Sequence, residues 1–172
     1  FIGFYARKSH QIIELDKCAV LSKELLETKE LIRDGLNRII PTGITMSVTV
    51  NHFENGSDVL IIPEQKLENN AEVELASWAS GTSINRLSLI YAGQDEPRLL
   101  CQNSTPLLNW GDISISPPPG SFLQPTLFGE NKLQNDVFLA HKDATHCLDL
   151  FAGCGTLSAK LLSQKVRITA ID

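Results

Sequence analysis

No uninterrupted apolar run in this sequence approaches the roughly 18–20 residues that cross a bilayer. No basic-then-apolar segment opens it either, so neither a membrane span nor a retained signal peptide is expected. Glycine and proline are sparse, 11 and 8 of 172 residues, which excludes collagen-like and low-complexity classes. The four cysteines, Cys18, Cys101, Cys147 and Cys154, are too few and too unevenly spaced for a disulfide scaffold. With 42% hydrophobic residues, the core is large enough without such staples, and a reducing, cytoplasmic setting is expected. Positive charge is not in excess: 15 Lys and Arg stand against 20 Asp and Glu, a formal charge of −5. A domain that grips nucleic acid across its whole surface would be basic.

The distribution of charge says more than its sum. Residues 1–40 carry 7 basic and 6 acidic groups, residues 41–100 carry 3 and 8, and residues 101–172 carry 5 and 6. The middle third holds the whole deficit, so that third is not a face for gripping phosphate. The chain begins at Phe1 rather than a methionine and stops at Asp172 directly after a strand pattern, and the expectation is a piece of a longer protein.

Residues 2–15 read as two short strands, IGFYARK and QIIEL, around a tight turn at Ser9-His10. Leu21, Leu25, Ile32, Leu36 and Ile39 then recur at helical multiples, with Ser22 as the cap and Pro41 as the stop. Ile44, Met46, Val48 and Val50 alternate with polar residues, and Asn55-Gly56 before VLIIP predicts a hairpin with a type I′ turn. Residues 69–80 predict a second helix, with Asn69 and Asn70 as cap candidates and Gly81 at its end. NRLSLIYAG, RLLCQN and DISIS predict three more strands. This order suggests an α+β central domain, an antiparallel sheet with helices, over residues 1–116. Pro117 to Pro119 cannot continue a ladder, and 117–128 reads as a Pro-rich linker segment. From 129 on the order is helix (129–141), strand (HCLDLF), glycine turn (AGCG), helix (TLSAKLLSQ) and strand (VRITAID). That is the first βαβ unit of a Rossmann-like domain, over 129–172.

CLDLFAGCGTLSAKLL followed by ITAID carries the chemistry. Gly153 and Gly155 lack the Cβ that would keep a ligand from the backbone amides and the helix start. Asp172 lies 17 residues beyond Gly155, at the end of the next strand, where a carboxylate accepts from the two hydroxyls of a ribose. Both point to an adenosine-containing cofactor. A dinucleotide fingerprint would want glycine at position 158, where this chain has Ser158, and Asp149 is not part of that pattern. The alternative reading is a βα turn that only needs small residues.

The string resembles motif I of the class I S-adenosylmethionine methyltransferases, where an acidic residue precedes the glycine turn. SFLQPT, with Phe122, Gln124 and Thr126, resembles the FxQxN signature of the RNA 5-methyluridine methyltransferases, and GFYARKSHQIIELDKCAVL is similar to a further stretch of that family. The resemblance covers both ends of the chain well and the middle by its order of elements. It implies methyl transfer from S-adenosylmethionine to uracil C5 in ribosomal or transfer RNA, with RNA as partner, no membrane, and a monomer. It further implies cofactor contacts at Gln124, Asp149, Phe151, Gly153, Gly155, Thr156 and Asp172. Pro125 and Thr126 depart from the signature, which bears on substrate positioning more than on the cofactor. Cys18 takes the position of the last ligand of the [4Fe-4S] cluster in the cluster-bearing members. A cluster needs four thiolates, and the other three are expected upstream of this chain; a half-buried structural cysteine is the competing reading. The nucleophilic cysteine that adds to uracil C6, and the base that removes the C5 proton, are expected beyond Asp172. No catalytic residue is therefore assigned within the chain, and Cys101, Cys147 and Cys154 read as packing residues.

The remaining candidates are weaker. His10, His52, His141 and His146 lack zinc spacing. Arg7 and Lys8 are the candidate phosphate contacts against a reading as solvated surface. Trp78 and Trp110 could stack on bases or pack in a core. Two rivals to the RNA enzyme remain: another class I methyltransferase acting on protein, DNA or a small molecule, and a non-catalytic RNA- or protein-docking module.

Overall fold

The computed structural model describes residues 2–68, 70–110, 113–162, 164 and 166–172. The chain divides into two compact units, Phe1–Pro106 and Leu107–Asp172. The division falls ahead of Pro117 to Pro119, where the sequence suggests the linker.

In the first unit, β1 (Gly3–Tyr5) and β2 (Ile12–Glu14) pair antiparallel. Their connection is wider than a two-residue turn. The Ala6 N–H donates to the Gln11 carbonyl (2.8 Å), and Lys8 takes a left-handed φ of +58°. The helix α1 (Lys23–Ile39) starts where Ser22 Oγ accepts from the Leu25 N–H at 3.3 Å. Its inner face buries Ile32, and Leu31, Leu36 and Ile39 pack beside it against the core. Gly35 is buried there because the Trp78 ring occupies the space of a side chain: a Cβ would lie 2.1 Å from Trp78 Cε2.

β3 (Met46–Phe53) and β4 (Gly56–Pro63) form the expected hairpin, but not its expected turn. Glu54 and Asn55 fill the loop, neither with positive φ, so the turn is not type I′. Gly56 instead takes φ +132°, and a Cβ there would meet Asn85 Oδ1 at 2.3 Å and the Ser83 carbonyl at 2.6 Å. The helix α2 (Ala71–Ala79) follows; Asn70 at its start makes no side-chain cap bond, and Asn69 lies outside the described residues. Gly81 leaves it at φ +80°. β5 (Ile84–Leu89) and β6 (Arg98–Gln102) complete a four-stranded sheet of order β3-β4-β5-β6.

This sheet is mixed, not antiparallel as expected: β4 and β5 run parallel. The segment between them holds a whole helix, and such a crossover returns the chain to the end where β4 began, whereas a hairpin loop cannot. As central strands, β4 and β5 are the buried heart of the unit. Val59, Ile61 and Leu87 are fully inaccessible, and Leu75 of α2 joins them. Each such side chain contributes about 1.5–3 kcal/mol. Asp58 and Arg86, register partners on these strands, form a buried two-pronged ion pair: Nε to Oδ1 and Nη2 to Oδ2, both 2.8 Å.

In the second unit, β7 (Leu108–Trp110) pairs with β8 (Ile113–Ile115); the sequence reading has the second of these but not the first, whose three residues show no alternation long enough to recognise. The helix α3 (Leu127–His141) begins two residues earlier than read, because Thr126 Oγ1 caps the Gly129 N–H at 3.1 Å. β9 (His146–Leu150) and β10 (Arg167–Ile171) pair in parallel, with the helix α4 (Ala159–Leu162) between them. α4 is shorter than TLSAKLLSQ suggests, since residues 153–158 form successive turns before it and Ser163 lies outside the described residues.

Candidate functional site

The parallel register sets Ile171 beside Leu150, so the chain leaving β9 meets the end of β10. Phe151 is the first residue out, at φ +57° with its side chain 92% exposed. A left-handed conformation costs a non-glycine residue roughly 1–2 kcal/mol, and no packing of the Phe151 ring offsets it. The Ala152 N–H donates to the Ile171 carbonyl at 3.1 Å, one step past the ladder. The Gly153 N–H then donates to Asp172 Oδ1 at 3.0 Å. The Gly155 N–H folds back to the Ala152 carbonyl at 2.8 Å. Gly153 and Gly155 have φ +52° and +75°, and a Cβ at Gly153 would point into open space. This is a cradle at which backbone rather than side chain faces outward.

Three sequence-identified residues are thereby brought together: Gly153, Gly155 and Asp172. The Asp172 carboxylate is exposed and uses one oxygen to hold the turn, leaving its other oxygen for a further donor. Asp149 stands half-buried on β9, and its Oδ2 is buried without a hydrogen-bond partner. A carboxylate oxygen in that state needs a donor from somewhere. Thr156 is buried and closes the turn, and its carbonyl accepts from Gln134 Nε2 at 2.8 Å. Ser158 is buried and turns its Oγ to the Gly155 carbonyl at 3.4 Å.

Gln124 is half-buried, and among the described residues its side chain makes no hydrogen bond to the turn. Its segment leads into α3, whose buried Glu130 the sequence reading passed over. Glu130 is 5% exposed, and burial pushes its pKa up; the Trp110 indole and the Gln124 N–H oppose that shift. The Trp110 Nε1–H, though near that carboxyl, makes no hydrogen bond of normal geometry. No periodicity announces Glu130. Its helix buries Glu130 and Gln134, half-buries Val137 and Phe138 on the same face, and exposes Leu127, Phe128, Leu133 and Leu139.

In the first unit, the Cys18 Sγ accepts the N–H groups of Leu21 and Val20, both at 3.4 Å, which holds the thiol below its ordinary pKa. Among the described residues, no group of three or more His, Cys, Asp or Glu side chains is arranged to hold a metal ion. Arg7 and Lys8 are exposed on the β1–β2 turn. Trp78 packs on Gly35. Of the histidines, His52 Nδ1 and His146 Nε2 lie 3.0 Å from the hydroxyls of Ser57 and Thr169. No helix among the described residues is long and apolar enough to cross a membrane.

No protein-family model matches the chain. Individual relatives do. An uncharacterized RNA methyltransferase of Mesorhizobium japonicum is 25% identical over 171 residues, covering 99% of this chain and 40% of the relative. An uncharacterized RNA methyltransferase of Zymomonas mobilis is 26% identical over 164 residues, covering 95% and 41%. The resemblance read from the residues is thus shown by the relatives: along its whole length, the chain is similar to RNA methyltransferases. Among them is a 23S rRNA (uracil(1939)-C(5))-methyltransferase of Shewanella woodyi, 28% identical over 179 residues, covering 99% of the chain and 39% of that enzyme. The chain spans about two fifths of the length of the curated relatives it matches.

Proposed function

We propose that the protein containing this chain methylates C5 of a uridine in ribosomal or transfer RNA, and that residues 122–172 supply part of its S-adenosylmethionine site. The observation that carries this is the left-handed glycine turn held by Asp172 at the end of the neighbouring parallel strand. The relatives named for uracil-C5 methylation of 23S rRNA support the choice of substrate. In this reading, the first unit is the central α+β domain, and 129–172 begin a Rossmann-like cofactor domain.

The residues fit the cofactor. Gly153 leaves the turn open to close approach, Asp149 has an oxygen without a donor, and Asp172 keeps an accepting oxygen in reach of solvent. Asp172 accepts from ribose hydroxyls, and Asp149 accepts from the ammonium end of the methionine portion. Phe151, Thr156 and Gln124 complete the walls. The cofactor supplies an electrophilic methyl group on a positively charged sulfur. Cys101, Cys147 and Cys154 are half-buried and take no part in the chemistry. Cys18, with its two N–H donors, suits one thiolate ligand of an iron–sulfur cluster whose remaining ligands lie elsewhere in the protein. Arg7 and Lys8 offer phosphate contacts, and the protein acts as a monomer in the cytoplasm, where its unpaired cysteines stay reduced.

Tritium release from RNA carrying 5-tritiated uridine, measured on the full-length protein with S-adenosylmethionine, tests the reading. Methyl incorporation without tritium release points to another class I methyltransferase. Absence of both, with RNA binding retained, points to a docking module. Iron and sulfide analysis of anaerobically purified protein tests Cys18, and finding neither removes the cluster.

A further inference from the structure

A helix on a protein surface normally turns an apolar stripe inward. α3 buries two polar residues, Glu130 and Gln134, on the face where Val137 and Phe138 are half-buried, while Leu127, Phe128 and Leu139 are 73%, 84% and 64% exposed. Glu130 and Gln134 are four residues apart and share one face. Burying a carboxyl and an amide is unfavourable unless each finds a partner. Gln134 Nε2 donates to the Thr156 carbonyl at 2.8 Å, with both residues buried. The Glu130 N–H donates to the Thr126 carbonyl at 3.0 Å, at the end of the segment that holds Gln124. The Thr126 cap on Gly129 fixes the start of the helix to the same segment.

We propose that Gln134 is a positioning residue of the cofactor site, tying the glycine turn to the helix α3, whose start the Phe122–Thr126 segment caps. This rests on reading residues 149–156 as an S-adenosylmethionine site. The turn needs an outside tie because two glycines give its backbone more freedom than other residues would. Fixing the Thr156 carbonyl fixes the plane of the peptide it shares with the Leu157 N–H. The turn is then held in one conformation before the ligand arrives, and binding does not have to order it.

Gln134→Met keeps length and bulk but removes the donor. In the full-length protein it is expected to weaken S-adenosylhomocysteine binding by roughly tenfold, the equivalent of one buried hydrogen bond. RNA affinity stays at the wild-type value, and the urea midpoint falls by no more than the loss of one buried hydrogen bond accounts for. Amide exchange in peptides spanning Gly153–Ser158 speeds up, while that of β9 and β10 does not. An unchanged affinity with unchanged exchange in the turn overturns the proposal. If Gln134→Met fails to fold, Gln134→Glu decides: its carboxyl can donate to the Thr156 carbonyl only while protonated, so its affinity falls as pH rises more steeply than that of the wild type. Parallel pH profiles for this variant and the wild type overturn the proposal. A wild-type protein that binds neither S-adenosylmethionine nor S-adenosylhomocysteine overturns the cofactor reading itself, and exchange in the turn of Gln134→Met still decides whether the tie exists.

Discussion

The ion pair between β4 and β5 gives the sharpest test of the energetics. Asp58 is 1% exposed in its side chain and Arg86 10%, and the two prongs are each 2.8 Å. Replacing Arg86 by Met leaves a carboxylate in the interior with its main partner gone, which costs about 3–5 kcal/mol. Asp58→Leu removes both carboxylate bonds of the buried guanidinium and costs a similar amount. Replacing both removes the two desolvation penalties together, and the double variant should lie within about 1 kcal/mol of the wild type or exceed its stability. The measurement is urea unfolding in a Trp110→Phe background, so that Trp78, packed on Gly35 in the first unit, is the fluorescent reporter. With a urea dependence of about 2 kcal/mol per molar, each single change lowers the midpoint by roughly 2 M and the double change barely moves it. Single costs below about 1 kcal/mol, the range of an exposed pair, would refute the argument, as would a double variant as unstable as the singles.

Asp172→Ala should weaken cofactor binding by about 1–3 kcal/mol and free the Gly153 N–H, whereas Asp172→Asn keeps an acceptor for that N–H; calorimetry giving equal affinities for wild type and alanine variant would remove the ribose assignment. Glu130 titrates above the ordinary carboxyl range because it is buried, so the folded state holds its proton more tightly than the unfolded state. Its contribution is complete below the unfolded pKa and lost as pH rises through the raised folded value. Thermal melts followed at Trp110 should show that loss in the wild type and not in Glu130→Gln, and parallel pH profiles would contradict it. The Cys18 thiol is held below its ordinary pKa by the Leu21 and Val20 N–H groups, so its alkylation by iodoacetamide should reach half-maximal rate at a lower pH in the folded chain than in urea. Coincident profiles would show that those hydrogen bonds do not form. Gly56→Ala combines a φ of +132° with a Cβ 2.3 Å from Asn85 Oδ1, and left-handed strain with overpacking should together cost about 2–5 kcal/mol in urea unfolding; a neutral effect would mean that the hairpin end can shift freely.

Elements whose signal is local were legible in the sequence. α1 shows its stripe, cap and stop within its own residues, and the structure follows them from Ser22 to Pro41. The hairpin was legible from alternation, but its turn type was not, because Asn55-Gly56 suits two turn geometries and the packing of Gly56 against Ser83 and Asn85 selects between them. The parallel pairing of β4 with β5 was hidden for a related reason. Both strands are buried on both faces, so neither shows the alternation that marks a half-exposed antiparallel strand. β7 was missed because three residues cannot display a period.

The candidate site divides along the same line. Glycines that must adopt positive φ, and a carboxylate at the end of the next strand, leave a mark in sequence order, and the hydrogen bond from Gly153 to Asp172 joins the two residues that the spacing had already linked. Gln134 leaves none, because what distinguishes it is burial against a partner 22 residues away in the chain. Its amide ties α3 to the glycine turn from a face that also half-buries Val137 and Phe138. A motif search finds residues that shape the backbone locally. The residues that hold such a backbone still act across space, and they have to be found from the hydrogen bonds that buried polar groups require.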